Sequence, residues 1–398
     1  MSLIDAAERF AAMDRSAVAL NAARCLHSLD RNSECEACFA LCPVHAIAVG
    51  KPPALDSERC EGCLACLTVC PVGAFSADDA VPALLNAVVH AEDRILDLVC
   101  SKNPQAEKGT SENSIGIRVK GCLAGLGTGA YVALAPFGLE RIVLRTEACS
   151  ACEWASLRSE IETQVKRARR FLSAWDTAPS IAVSSASDAM VERPLWNADN
   201  PPLSRRELFR MMARQGQVAM ARAMENGVRT SGRRPGRDRL RLLAGEEHLP
   251  ALQYETSTKP GEFGFAVLTV TEACTACGAC GRACPTDALK FEKDEDNTKF
   301  ALKFSARLCV ACDLCARVCA PAAVTVNHDP GFAEVFGAQE LPLLEGELVS
   351  CKRCGALTAK RGEDQLCDLC DYRRTHPFGS IIPPGYKAGR SGVEQHTQ

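Results

Sequence analysis

Twenty-four of the 398 residues are cysteine, and most of them stand in C-x2-C steps. One phrase recurs. CEGCLACLTVCPVGAF spans Cys60 to Phe75, CTACGACGRACPTDAL spans Cys274 to Leu289, and CVACDLCARVCAPAAV spans Cys309 to Val324. A shortened copy, CEACFALCPVHAI, spans Cys35 to Ile47. Pro follows the fourth cysteine in three copies and comes one step later, as Pro321 after Ala320, in the last. Each copy then carries Ala and an apolar residue: Ala46-Ile47, Ala74-Phe75, Ala288-Leu289 and Ala323-Val324. Thiolates are soft ligands. Three of them at i, i+3 and i+6 can wrap a short loop around one iron–sulfur cubane, and the fourth, set apart, can serve a second. The fourth cysteine is expected to open a helix that points away, with Pro in its first turn. The small Ala and its apolar neighbour should face a shared core. Zinc ribbons would instead give two isolated C-x2-C pairs.

The copies come in two pairs, one early and one late, and each pair resembles a bacterial-type dicluster ferredoxin domain. By position, the resemblance implies that Cys274, Cys277, Cys280 and Cys319 hold one 4Fe–4S cluster, and that Cys309, Cys312, Cys315 and Cys284 hold another. In the early pair Cys60, Cys63 and Cys66 with Cys42 would hold a third. The fourth set has Cys35, Cys38 and Cys70 but no cysteine three residues before Cys35, where Asn32 stands. The nearest candidate is Cys25. The intervening LHSLDRNSE is polar and loop-like, and the cost of closing a loop grows slowly with its length. The motif then reads C-x9-C-x2-C-x3-C-P. Alternatively Cys25 is a plain buried cysteine and the cluster is 3Fe–4S or takes another ligand such as His27.

Between the pairs the pattern changes. Leu96 to Val99 reads as a strand ending in Cys100, and Ile115 to Lys120 as a strand ending at Cys122. Leu139 to Arg145 reads as a strand followed by Cys149 and Cys152. A small-residue helix (123–137) and a charged amphipathic helix (156–175) alternate with them, which argues for a small parallel α/β layer. Its strand ends would place all four cysteines at one edge, where open sheets hold ligands. The region is similar to the small delta subunit of methyl-viologen-reducing hydrogenases, which implies a 2Fe–2S centre. That family has two cysteines near the first strand where this chain has one. The other readings are buried cysteines at 100 and 122, with Cys149 and Cys152 as a redox dithiol that could make the chain an enzyme. The glycines of GLGTGA (Gly125, Gly127, Gly129) do not form a dinucleotide fingerprint. Close helix–sheet packing explains them, and neither nucleotide nor flavin is expected.

Residues 176–203 read as a linker. LSRRELF follows, in which Ser204 and Glu207 form a capping box for a helix over 204–226, and whose arginine pair resembles a twin-arginine signal. SGRRPGRDRLR (231–241) reads as a mobile basic surface loop. Cys351 and Cys354, then Cys367 and Cys370, are two knuckles that suit a four-thiolate site, with zinc expected and a rubredoxin-like iron as the alternative. The last residues read as disordered.

The expected fold is α+β. Two dicluster ferredoxin-like domains (1–80 and 261–335) flank a small α/β domain (81–175). A linker (176–260) and a C-terminal zinc-ribbon-like four-cysteine region with its tail (336–398) complete the chain. Net charge is −3, which points to neither nucleic acid nor an anionic membrane surface. No run approaches the roughly 18 apolar residues of a membrane span. Residues 1–20, with early acids and no apolar core, read as an amphipathic helix and not an export signal. So many free thiolates call for a reducing compartment, hence the cytoplasm. The motifs point to a multi-cluster electron-transfer protein, and its resemblance to polyferredoxin subunits of formate dehydrogenases or hydrogenases implies redox enzyme subunits as partners. The rival is an accessory protein that helps a molybdenum or iron–sulfur enzyme mature.

Overall fold

The computed structural model describes residues 18–48, 50–184, 190–201, 215–229, 232–252, 256–337, 339–361 and 365–377. It divides into two units, Met1–Thr258 and Lys259–Gln398. The capping box at Ser204 and Glu207, the arginine pair beside it, most of the N-terminal helix and the end of the tail lie outside the described residues.

The first unit opens with strand β1 (Val18–Leu20), helices α1 (Leu26–Leu29) and α2 (Ala37–Leu41), strands β2 (Ile47–Ala48) and β3 (Ala54–Leu55), helix α3 (Cys66–Val69) and strand β4 (Phe75–Ala77). β1 pairs antiparallel with β4, Val18 opposite Ala77, and β2 with β3. Residues 18–20, expected in a helix, are a strand. Val18 is buried while Ala19 faces water, which is the period of a strand.

Helix α4 (Val81–His90) leads into β5 (Ile95–Val99), β6 (Lys108–Gly109), β7 (Ser114–Arg118), α5 (Gly127–Leu134), β8 (Arg141–Leu144) and α6 (Arg158–Leu172). Then come β9 (Ser180–Val183), β10 (Val191–Glu192), β11 (Leu195–Asn197), α7 (Gln215–Arg229) and α8 (Arg237–Glu246). Five strands form one parallel sheet in the order β11-β7-β5-β8-β9. Its apolar runs, among them Leu96, Leu98, Ile115, Ile117, Ile142 and Leu144, are buried, as the two-sided burial of a parallel sheet demands. α6 buries Ile161, Val165, Ala168 and Leu172 along one stripe and turns its charges outward.

This layer is larger than the segment 81–175. β9 and β11 are edge strands drawn from what reads as linker. The Arg193 guanidinium, fully buried, meets the equally buried Asp97 carboxylate at 3.2 Å, and holds the β10–β11 segment onto the sheet. Asp97 also accepts the Thr110 N–H and hydroxyl, both at 2.9 Å. The end of the basic stretch, from Arg237, is likewise not a free loop, because it belongs to α8, which lies on α5. A Cβ on Gly129 would collide with the Asp238 carbonyl, and one on Gly245 would stand 2.7 Å from the Ala133 nitrogen. The glycines of GLGTGA thus serve close packing, and the Asp238 carboxylate accepts the Gly129 N–H at 2.6 Å.

In the second unit β12 (Val267–Val270) pairs antiparallel with β15 (Val324–Asn327), as β1 does with β4. Helices α9 (Ala279–Ala283) and α10 (Leu314–Val318) lie between them. Strands β13 (Leu289–Lys293), β14 (Lys299–Phe304), β16 (Leu341–Ser350) and β17 (Leu357–Ala359) make a four-stranded antiparallel sheet. α11 (Phe332–Phe336) precedes β16, and α12 (Asp368–Thr375) carries the last cysteine. β16, from the C-terminal region, extends the β13–β14 hairpin, and Ala276, Phe300 and Leu348 share one core.

Candidate metal centres

None of the 24 cysteines is in a disulfide. The three complete copies share a backbone device. Gly62 and Leu64 flank Cys63, Ala276 and Gly278 flank Cys277, and Ala311 and Asp313 flank Cys312, all six at φ between 53° and 68°. Left-handed residues on either side of the middle cysteine turn successive N–H groups to one side and make an anion-binding concavity. For a non-glycine residue this conformation costs about 1–2 kcal/mol, a strain typical of sites where geometry is imposed by function. The shortened copy lacks the device: Glu36, which follows Cys35, has φ −113°.

A second device appears in all four copies. The third residue after the last cysteine (His45, Gly73, Asp287 or Ala322) has φ between 50° and 59°. In three copies the turn brings the next N–H onto the cysteine sulfur: Ala46 to Cys42, Ala74 to Cys70 and Ala323 to Cys319, each at 3.2 Å. In the remaining copy the Thr286 hydroxyl lies 3.7 Å from the Cys284 sulfur. The recurring Ala therefore supplies a backbone donor as well as a small side chain. One expectation is corrected here. The fourth cysteine closes a helix, Cys42 ending α2, Cys70 α3, Cys284 α9 and Cys319 α10. Pro follows as the residue that cannot continue a helix and starts the turn.

The thiols gather in sets. Burial, joined by the charges of Cys70, Cys35 and Cys25, pushes the Cys38 thiol up to about 12. The Cys25 thiol is raised by burial and by Cys35, and Cys70 by burial, Cys35 and Cys25. Burial and the charges of Cys63, Cys60 and Cys42 push Cys66 up in the same way, with Cys38 beyond them. In the second unit Cys280 is pushed up to about 12 by burial, Cys274, Cys277 and Cys319. Cys315 is pushed equally far by burial, Cys309, Cys312 and Cys284. An apolar cavity lined by Cys284, Cys309, Cys312 and Cys315 lies beneath Leu268, Phe304 and Val326. Crowded thiols that repel one another as anions, beside N–H groups turned inward, suit a cationic iron core that neutralises them.

Cys25 reaches its set across a stitched loop. The His27 ring is buried, its Nε2 lies 2.7 Å from the Cys35 carbonyl, and its centroid is 6.0 Å from that of Phe39. Next to Cys25, the Arg24 guanidinium donates to the carbonyls of Val72 (2.6 Å) and Arg234 (2.8 Å), and the Gly236 N–H donates to Pro71 O at 2.7 Å. The segment before α8 thus closes over the Cys70 loop.

The four middle cysteines lie beyond the carboxyl ends of three neighbouring strands: Cys100 after β5, Cys122 after β7, Cys149 and Cys152 after β8. Burial, Cys100 and Cys149 raise Cys122 to about 12, and burial, Cys100 and Cys152 raise Cys149 to about 11. This set abuts the Cys60–Cys66 loop, because the Cys122 N–H donates to the Cys63 carbonyl at 3.3 Å.

The sulfur atoms of Cys351, Cys354, Cys367 and Cys370 all lie within 4.8 Å of one another, with Cys354 and Cys367 at 3.8 Å. A tetrahedron with arms of about 2.3 Å has edges of about 3.8 Å, so the donor set fits a single thiolate-bound ion. Backbone N–H groups, Cys367 foremost, hold the Cys351 thiol down at about 6. The knuckle packs on the neighbouring ferredoxin-like loop, where Arg361 donates to the carbonyls of Glu272 (2.7 Å) and Cys274 (3.0 Å).

The 4Fe–4S dicluster domain family matches residues 33–74 and 273–323. The second match includes all eight cysteines of the late pair; the first begins at Ser33 and leaves Cys25 outside. No curated protein matches the chain. The two matches indicate an iron–sulfur electron-transfer protein. Among the described residues no helix is long and apolar enough to cross a membrane.

Proposed function

We propose that the chain is a multi-cluster electron relay within a larger redox complex, of the formate dehydrogenase or hydrogenase kind. Four 4Fe–4S clusters are held by Cys25, Cys35, Cys38 and Cys70; by Cys42, Cys60, Cys63 and Cys66; by Cys274, Cys277, Cys280 and Cys319; and by Cys284, Cys309, Cys312 and Cys315. Cys100, Cys122, Cys149 and Cys152 hold a fifth centre, of the 2Fe–2S kind, and the C-terminal four cysteines hold zinc. The protein works in a reducing compartment, the cytoplasm. The observation that carries the reading is the repeated loop with left-handed residues on both sides of its middle cysteine, joined to thiol sets that cross over between the copies of a pair.

Each cluster supplies one-electron chemistry at the sulfur-lined site. The chain's own part is to set the potential and shield the site. The N–H groups of Ala46, Ala74 and Ala323 stabilise negative charge on sulfur. The buried apolar residues around them, such as Leu64, Val72 and Leu314, keep water away. Within each pair the two thiol sets are near enough for Cys38 to bear on Cys66, and Cys280 on Cys315.

The test is iron, sulfide and zinc per chain on anaerobically purified protein. Four cubanes and a 2Fe–2S centre give about 18 iron, with one zinc. About 16 removes the middle centre, and little iron with several zincs overturns the relay. A stable stoichiometric complex with a catalytic subunit supports the relay, whereas transient, substoichiometric association supports the accessory role in enzyme maturation.

A further inference from the structure

Tyr131 on α5 is fully buried, and its hydroxyl has no hydrogen-bond partner. A buried hydroxyl left unpaired keeps the full cost of its desolvation, and each instance in a native fold calls for an explanation. The charge that bears most on this phenol is that of Cys122, ahead of Asp238 and Glu160. The helix that carries this donor without an acceptor, α5, begins five residues after Cys122 and so leads out of the middle thiol set.

A second, independent observation concerns the wall between that set and the Cys63 loop. Besides the Cys122–Cys63 backbone hydrogen bond, two glycines keep the loops close. A Cβ on Gly121 (φ 73°) would stand 3.2 Å from the Gly62 carbonyl, and one on Gly125 would stand 2.8 Å from the Leu64 Cβ. A polar clasp closes the outer side. The Trp154 indole N–H donates to Glu61 at 2.6 Å. The Lys102 ammonium lies 2.8 Å from Glu153, 3.5 Å from Glu61 and 3.9 Å above the Trp154 ring. Glu61 follows Cys60, Lys102 stands two residues after Cys100, and Trp154 two after Cys152, so the clasp ties the candidate ligand loops of both sets together.

We propose that the centre on Cys100, Cys122, Cys149 and Cys152 is built as the immediate redox neighbour of the one on Cys42, Cys60, Cys63 and Cys66, and that the Tyr131 hydroxyl is the hydrogen-bond donor to a sulfur on its Cys122 side. The proposal rests on the relay reading above. One electron passes between the neighbouring centres, one oxidised as the other is reduced, and no bond is made or broken. Tyr131 is a positioning residue that tunes this step through the sulfur. Burial with a dithiol at Cys149 and Cys152 alone leaves both the orphan hydroxyl and the close wall at Cys122 without a purpose.

The experiment compares full-length wild type, Tyr131→Phe and Cys149→Ser, purified anaerobically, by iron analysis and by redox titration followed by electron paramagnetic resonance. Wild type should show the signal of the middle centre broadened by its reduced neighbour. Cys149→Ser should lose about two iron and remove that broadening. Tyr131→Phe should keep its iron and shift the potential of the middle centre downward, because the reduced, more negative state loses a donor to sulfur, while the other centres keep theirs. An unchanged potential in Tyr131→Phe overturns the role of the hydroxyl. Unchanged iron in Cys149→Ser, with about 16 per chain throughout, overturns the middle centre and leaves the four-cubane relay standing. A chain without cubane iron overturns the relay itself.

Discussion

Cys25 shows how far a single residue can be argued. It stands ten positions before Cys35, outside the family match, yet its charge bears on Cys38 and Cys70. With Cys25 as the fourth ligand, Cys25→Ser should lose about one iron per chain and produce a 3Fe–4S resonance signal in the oxidised protein. An unchanged iron count would return Cys25 to the status of a buried thiol. His27→Ala should weaken the same cluster without abolishing it, seen as faster iron release to a chelator, because its ring holds the Cys35 carbonyl. The repeated cysteine spacing was legible in the sequence, and the dicluster-domain matches cover the two stretches that carry it. The left-handed positions were not: Leu64, Ala276 and Ala311 are not residues that favour positive φ. Their strain comes from the site they wrap, and nothing local in the sequence announces it.

At the scale of elements, the revealing case is α8. RRPGRDRLR looks like a solvated surface, but its partner, Asp79, lies about 160 positions away. The Asp79 carboxylate is buried and receives Arg241 at 2.8 Å and also Arg237. Burial alone would raise its pKa; the two guanidinium groups and the Val81 N–H win and hold it below the ordinary carboxylate value. A depressed folded pKa means that the stabilisation is complete above the unfolded value and is lost only as pH falls through the folded one. Asp79→Asn should therefore cost about 3–5 kcal/mol by removing the negative charge of a buried ion pair. The loss, measured by thermal melting, should stay constant from about pH 8 to about pH 6; a difference that vanished toward pH 6 would place the carboxyl's titration higher. Gly129→Ala should destabilise the same contact by about 1–3 kcal/mol, since its methyl meets the Asp238 carbonyl. The central strands β5, β7 and β8 could be read from their apolar runs. β9 and β11 are edge strands of four and three residues, too short to carry a period, and β11 is held by the Arg193–Asp97 pair that only the folded chain brings together.

For the whole molecule, the division at Thr258 and Lys259 gives each unit one ferredoxin-like pair. A fragment of residues 259–398 expressed alone should fold and take up about eight iron and one tetrahedral ion; a fragment that aggregates without iron would show that the second unit needs the first. Each unit also closes its first cluster loop with a segment made later. In the second unit Arg361 and Ala359 fasten the carbonyls of Cys274 and Thr275. In the first, Arg234 and Gly236 fasten the loop around Cys70. During synthesis at about 5–20 residues per second, the Cys70 loop waits on the order of ten seconds or more for its strap to leave the ribosome. The order of residues along the chain thus acts as a clock. Until residues 234 to 236 have been made the loop is left uncovered on the growing chain, and what then covers it is a later stretch of the same chain.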